Sequence, residues 1–488
     1  MAAIPPRVQV PGLVEAPHDS DRLDPSIWKI GAVAVLGSFL AQLDATVVNV
    51  SLSSLAITLH SSLAAIQWVT SGYLLALALM LPMSGWMVDR IGAKALYLWC
   101  FSAFTLSSAL CGLAWSADSL IGFRIVQGMS AGPLAPMAQM MMARAAGKRM
   151  ASVFGFAAMP ILLAPLLGPV IAGAILQFAS WRWLFLVNLP VGVLALVLAM
   201  LFLPKGRDQR KWRDLDLVGL ALLSPALVLF LYGSDHIRDR MGIASVTGSV
   251  FLLVAFFRWA SRMKDEALID LRLFKGKVFS AATATQFMAN GISYAGQMLI
   301  PIFIIRVGGL SPSATGLLLA PLGLGMMCGY PFVGTWVKWF GNRKVSAGGA
   351  SLALAGTLPF IYMAGHGLEI PLLACALFFR GVGQSAVSVP SISAAYSSVK
   401  REDLPMATTT LNIVMRIGGP TLTTICATFL GWRLGSAPTH DTTLSAFTAA
   451  FVLLCALQGL LIAATMRLPV SVKGGSGPEV RPARMPAL

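Results

Sequence analysis

The chain has 488 residues, but only 11% of them are charged, where about 25% is usual for soluble domains, and 57% are hydrophobic. With a mean hydropathy of +0.76, that much apolar surface needs lipid as its solvent, and about fourteen spans of ~20 residues leave no room for an appended soluble enzyme or nucleic-acid-binding domain. The net charge of +16 is spread over short loops instead of one basic face, so it points to membrane topology and away from nucleic acid.

Residues 1–27 read as a polar tail, with Pro5, Pro6 and no apolar core of the kind a signal peptide carries. Six spans are expected near 30–52, 66–87, 95–115, 119–142, 151–176 and 182–203. A basic stretch from Lys205 to Arg213 follows, then two weaker spans near 217–234 and 242–260 and a second charged stretch from Arg262 to Lys277. Six more spans are expected near 278–305, 313–337, 345–364, 370–397, 406–432 and 444–466. The expected fold is therefore an all-α integral membrane protein of fourteen helices. A cytoplasmic tail (1–27), a six-helix bundle (28–204), an inserted two-helix linker (205–277), a second six-helix bundle (278–467) and a second cytoplasmic tail (468–488) make up the chain.

Positive charge tests this map independently, because Lys and Arg collect in cytoplasmic loops. Of the 36 Lys and Arg residues, 28 fall in the tails and the alternate loops on their side of the membrane, which places both termini in the cytoplasm. All six cysteines lie in apolar runs with no CxxC spacing, so they read as small core hydrophobes, and neither metal nor other cofactor is expected.

The two bundles repeat one another. The turn after the second span carries Gly85, Asp89, Arg90, Gly92 and Lys94, and the turn after the tenth carries Gly334, Lys338, Gly341, Arg343 and Lys344, with the same seven-residue step between glycines. Phe123, Arg124, Gln127 and Gly128 in the fourth span are echoed by Phe379, Arg380 and Gln384 in the twelfth. Parallel half-repeats of this size are a transporter architecture, with the binding site near the midplane between the halves.

Further motifs are Leu43, Asp44, Thr46, Asn49 and Val50 in the first span, Gln67, Trp68 and Tyr73 in the second, and Gly168, Pro169 and Gly173 in the fifth. Trp181, Arg182, Trp183, Asn188 and Pro190 follow around the sixth span, with Gly309, Leu310, Ser311, Pro312 and Gly316 before the tenth. Together with the repeated turns, these residues resemble the major facilitator superfamily, and within it the fourteen-helix drug:proton antiporter branch of the EmrB/QacA type. The resemblance runs over residues 30–467. It departs at Ser51, Leu52 and Ser53, where the branch usually has Ala-Leu-Pro, and at Ala172 and Gly173, where it has paired glycines.

Asp44 is the only acidic residue placed well inside a span, and an intramembrane carboxylate is a functional candidate because burial penalises its charge. Arg124 lies at a comparable depth and is assigned with it to proton coupling; a permanent structural ion pair is the alternative. Gln286, Asn290, Tyr294 and Gln297, spaced by 4, 4 and 3, share one face of the ninth span and suit either a wet cavity or bridges to neighbouring helices. Asn412 and Arg416 share a face in the thirteenth span, and with Arg380 and with Asn49 from the first they complete the candidate substrate cavity. Gly85, Asp89, Arg90, Gly92 and Lys94 are gating candidates, for which the resemblance implies an inward-gate latch. Gly168, Pro169 and Gly173 are assigned to gating or to tight helix packing.

The sequence thus predicts an inner-membrane transporter, not an enzyme, that exports small amphipathic compounds in exchange for protons. No Walker-type loop is present for ATP. Its expected partners are the substrate, protons and lipid, with a periplasmic adaptor protein left open. A carrier for one endogenous metabolite or anion and a non-transporting membrane sensor are the rival readings.

Overall fold

The computed structural model describes residues 25–146, 152–153, 155, 167–168, 171–203, 214–237, 239–263, 267–435 and 440–469. The two tails beyond these limits, the basic stretch 205–213 and most of the fifth span lie outside the described residues.

The first bundle contains α1 (Pro25–Thr58), α2 (Leu63–Met80), α3 (Ser84–Ile91), α4 (Ala93–Gly112), α5 (Ala117–Ala131), α6 (Leu134–Ala146), α7 (171–178), α8 (Trp183–Leu186) and α9 (Asn188–Phe202). The inserted pair is α10 (Leu217–Asp235) and α11 (Arg240–Met263). The second bundle contains α12 (Lys277–Arg306), α13 (Pro312–Leu318), α14 (Ala320–Ala355), α15 (Leu358–His366), α16 (Ile370–Ser397), α17 (Leu404–Leu434) and α18 (His440–Thr465). Polar side chains set several starts: Ser62 accepts a hydrogen bond from the Ala65 amide before α2, and Ser116 and Ser119 form a reciprocal capping box before α5.

Eleven stretches of the described residues are long and apolar enough to cross a membrane. One of them, Ala314–His366, holds two expected spans, because two helical segments meet within it at a kink at Gly341, whose φ of 78° is not helical. The fourth expected span comes as α5 and α6, separated at Gly132 and Pro133, where proline withdraws a backbone donor. The observed helices are consistent with the fourteen expected. Burial supports a lipid environment: only 17% of the apolar window in Arg240–Met263 is buried, while Trp99, Leu106, Trp115, Phe178 and Phe251 stand largely exposed.

The glycine repeat is structural. Gly92 (φ 85°) and Gly341 (φ 78°) both occupy the left-handed region at the same place in the two turns, a conformation that other residues adopt only under strain. Gly85 brings α3 against α17: a Cβ there would lie 3.2 Å from both the Pro405 carbonyl oxygen and Thr409 Oγ1. Gly334, its counterpart, packs more closely still on Ser152 of the first bundle, where a Cβ would lie 2.6 Å from the Ser152 Cα.

The distribution of the apolar core defines the arrangement of the bundles. Val33, Leu203, Phe279, Tyr396, Leu404 and Leu468 belong to one core shared by both bundles, on the face where α1 begins and α18 ends. Toward the opposite face the core divides. Val47, Leu55, Ile66, Trp181 and Phe185 form a cluster within the first bundle, and Phe303, Phe360, Phe447 and Phe451 anchor a separate one in the second. The inserted α10 lies along the seam, between α2 and α17, where Leu223 and Leu227 join Leu81 and Ile413 in a fourth cluster.

Candidate functional site

Asp44 sits on α1, 1% exposed, and four other helices converge on it. Arg124 of α5, fully buried, donates from Nη1 to Asp44 Oδ2 at 2.5 Å. Asn188, the first residue of α9, donates from Nδ2 to Oδ1 at 2.8 Å, and Gln127 of α5 donates to the same oxygen at 3.4 Å. The spacing of Arg124 and Gln127, three residues on one helix, puts both on the face toward α1. Further contacts fix the donors. Arg124 Nε donates to the Val69 carbonyl on α2 (3.1 Å), Nη1 also reaches Gln127 Oε1 (2.8 Å), and the guanidinium lies 4.1 Å from the centre of the Tyr73 ring. Asn188 Nδ2 is shared with Ser108 Oγ of α4 at 3.1 Å. The close approach of α2 and α5 depends on Gly128, where any Cβ would strike the Tyr73 backbone.

An ionised carboxylate only accepts hydrogen bonds, so three donors on two oxygens suit the charged form. Protonation would put an O–H on one of these oxygens and remove the charge that strengthens the three contacts, most of all the one to Arg124. Arg124 Nη2 and, on α2, Tyr73 Oη and Thr70 Oγ1 are buried with no hydrogen-bond partner among the described residues. Sequence reasoning singled out Asp44 and Arg124 but gave no site role to Gln127, Asn188, Ser108 or Tyr73. Gln127 was readable as the residue one turn from Arg124, whereas Asn188 lies 144 residues from Asp44 and only the packing of α9 on α1 brings it there.

The expected cavity residues divide. Gln286 is buried and donates to the Ser388 carbonyl (2.7 Å) and Ser391 Oγ (2.8 Å) on α16, and Asn290 donates to the Met415 carbonyl on α17 (2.8 Å). These two are helix bridges, the alternative reading of that face, because α16 and α17 pack directly over it and buried polar groups need partners. On the later half of α12, Tyr294 is 53% exposed with its ring against Gly419 of α17, and the exposed Gln297 donates to Ser293 Oγ on its own helix (3.2 Å). Arg380 is 3% exposed and donates to Thr357 Oγ1 (2.6 Å) and the Ile292 carbonyl (3.2 Å), so it is built into the second bundle. Asn412 is buried and reaches across the bundles to Gln139 Oε1 (2.7 Å), which also accepts from the Tyr396 hydroxyl (2.7 Å). Arg416 is half-buried on α17. The side chain of Asn49 and residue Pro169 lie outside the described residues.

Among the gating candidates, Lys94 donates to the Met200 and Leu203 carbonyls (2.8 and 2.6 Å), a cap on the C-terminal end of α9 within its own bundle. Arg343, at the matching place in the second turn, donates to the Leu468 carbonyl beyond α18 (2.6 Å). Asp89 is half-buried on α3, and Arg90 is exposed beside the Trp86 ring (5.8 Å to its centre). Gly168 is buried in close contact with the Thr46 side chain, while Gly173 has open space around it.

Two helical bundles joined at one end, with a buried ion pair in one of them and an inter-bundle seam beside it, define a membrane carrier. The family model described as Major Facilitator Superfamily matches residues 34–423, and the chain belongs to that superfamily. It is 34% identical over 422 residues to the multidrug resistance protein B homolog of Mycobacterium tuberculosis, covering 85% of this chain and 78% of that one. It is 29% identical over 450 residues to the putative multidrug resistance protein MdtD of Serratia proteamaculans, covering 89% and 91%. Among solved structures, the human organic anion transporter MFSD10 has the same fold (TM-score 0.62, 15% identity, 91% of this chain and 100% of that one). So does the proton:xylose symporter XylE (TM-score 0.59, 14% identity, 92% and 98%). The protein is thus a multi-pass membrane transporter of small substrates.

Proposed function

We propose that the protein is a proton-coupled exporter of small amphipathic compounds, resident in the inner membrane with both termini in the cytoplasm. The observation that carries this reading is the Asp44 cluster: a buried carboxylate held by three donors from two other helices, in a position to exchange a proton for an arginine contact. The multidrug-resistance names of the relatives support amphipathic cargo. With both termini in the cytoplasm, an apolar core that the described residues share on the termini face supports an outward-facing reading.

In this state Asp44 awaits a proton from outside. Its arrival neutralises the carboxylate and frees Arg124, whose unpartnered Nη2 and the neighbouring Tyr73 hydroxyl offer new contacts. The bundles then rock to open inward, where substrate binding between Tyr294, Gln297 and Arg416 restores the ion pair and expels the proton. Gly85 and Gly334 allow the close inter-bundle contact that the outward state requires. One observation favours the rival reading, a carrier of a single anionic metabolite: Arg416 is a half-buried cation on α17, and an anion suits it.

The test is efflux from cells expressing the protein, across a panel of cationic, neutral and anionic amphipathic compounds, with and without an uncoupler. Uncoupler-sensitive efflux of several unrelated compounds is expected. Transport of one anion alone would favour the rival, and uncoupler-resistant export would overturn proton coupling.

A further inference from the structure

The second bundle contains a counterpart of the Asp44 cluster that lacks its carboxylate. Ser293 precedes Gly334 by as many residues as Asp44 precedes Gly85, and Thr357 follows Gly334 by as many as Ser108 follows Gly85. Arg380 and Gln384 answer to Arg124 and Gln127, and Gln458 of α18 takes the place of Asn188 of α9. The contacts are also alike. Gln384 donates to Ser293 as Gln127 donates to Asp44, and Gln458 Nε2 donates to Thr357 Oγ1 (2.9 Å) as Asn188 donates to Ser108. A buried guanidinium is therefore retained where no carboxylate among the described residues pairs with it.

Buried charge in a membrane protein demands compensation. Arg380 has five N–H donors, and the two acceptors it meets, Thr357 Oγ1 and the Ile292 carbonyl, are neutral. Ser293 Oγ accepts from both Gln384 and Gln297, which leaves its own hydroxyl proton free to donate. Between these groups lies a cavity of about 20 Å³ lined by Ser293, Arg380, Gln384 and Gln458 among apolar neighbours. That volume suits an occupant near the size of one water and excludes a drug-sized molecule. Gln458, on its wall, keeps a buried amide oxygen without a donor, which a water accompanying the occupant would satisfy.

We propose that this cavity is a binding site for a small monovalent inorganic anion of the halide class, which takes the place in the second bundle that the Asp44 carboxylate holds in the first. The anion accepts from Arg380 and the Ser293 hydroxyl and neutralises the buried charge. It is a resident ion and not the cargo, so the site stands independently of which compound is transported.

The experiment uses the purified full-length protein in detergent, with thermal unfolding followed in sodium chloride and in sodium gluconate at equal ionic strength. Chloride should raise the unfolding midpoint saturably, by about 2 °C or more, since a ligand bound only to the folded state stabilises it by mass action. Ser293→Asp supplies the missing carboxylate and should be as stable in gluconate as the wild type is in chloride, with no further response to chloride. Arg380→Gln should lose the response by removing the cation. Equilibrium dialysis with radiolabelled chloride, expected to give one ion per chain, applies to the unaltered protein even if a variant fails to fold. Equal midpoints in the two salts, no bound chloride on dialysis, or a chloride response undiminished in Ser293→Asp would each overturn the proposal.

Discussion

Replacing Asp44 by Asn tests the proton-coupling reading most directly, and the geometry gives the size of the effect. The carboxylate accepts from Arg124 at 2.5 Å, Asn188 at 2.8 Å and Gln127 at 3.4 Å. An asparagine has one acceptor oxygen, so in either orientation its amide nitrogen confronts a donor. If the oxygen faces Arg124, the fully buried guanidinium still loses its counter-charge, a change that costs about 3–5 kcal/mol at buried pairs. At about 1.4 kcal/mol per decade, the arrangement seen here is disfavoured by roughly 10²-fold to 4 × 10³-fold against states in which Arg124 has moved away. In reconstituted vesicles, transport driven by a proton gradient should therefore fall at least about 100-fold. Exchange of substrate for substrate, which moves no net proton, should partly survive. The double variant Asp44→Asn/Arg124→Met removes the stranded charge, so it should regain folding yield without regaining gradient-driven transport. Full gradient-driven, uncoupler-sensitive transport by Asp44→Asn would refute the assignment and require another proton carrier.

Two further substitutions probe the seam and the cavity. Gly85→Leu adds a side chain where even a Cβ lies 3.2 Å from Pro405 and Thr409, so it should prop the bundles apart on the termini face. Substrate binding should persist while exchange is lost, and spin-label distances across the two faces should report a shift away from the arrangement described; an unchanged distance distribution with normal exchange would count against the close-contact role. For α12, Tyr294→Ala should change substrate preference with little loss of folded protein, because the ring is 53% exposed. Asn290→Ala, which removes a bridge to the Met415 carbonyl, should lower stability by about 1 kcal/mol with selectivity kept. The reverse pattern, measured by unfolding midpoint and competition binding, would exchange the two roles.

How far the sequence reached depended on whether a residue's chemistry was out of place where it stood. Asp44 and Arg124 were legible because charge inside an apolar run has few explanations, and the glycine turns were legible because their repetition is a pattern of spacing. Asn188, Ser108 and Gln127 are neutral polar residues of the kind that helices in lipid carry routinely, and only the packing of α4, α5 and α9 around α1 gives them a role. The polar face of α12 was visible in its periodicity. Whether each group on it met water or a neighbour depended on where α16 and α17 lie, which periodicity does not encode. Arg380 was readable as a buried cation, but its neutral partners Thr357 and Ile292 come from α12 and the start of α15, far away in sequence. The break between α5 and α6 was signalled by Pro133 within an otherwise continuous apolar run.

The donor count at Asp44 bears on how the bundles move. If they rocked as rigid bodies, every contact within the first bundle would pass unchanged through the cycle, and the carboxylate would keep three donors in both states. Protonation removes the charge that strengthens all three hydrogen bonds, and of Arg124, Gln127 and Asn188 the cationic Arg124 loses most when a proton binds. Arg124 is the one with somewhere to go. It bears the charge that loses its partner, and unpartnered polar atoms of Tyr73 and Thr70 lie on α2, the helix that its Nε already contacts. α2 continues through Leu81 to α3 and Gly85, where the first bundle meets α17. On the proposed coupling, a shift of Arg124 toward α2 acts on the helix that leads into the inter-bundle contact, so proton binding would reach the gate through internal rearrangement of one bundle before the two bundles move against each other.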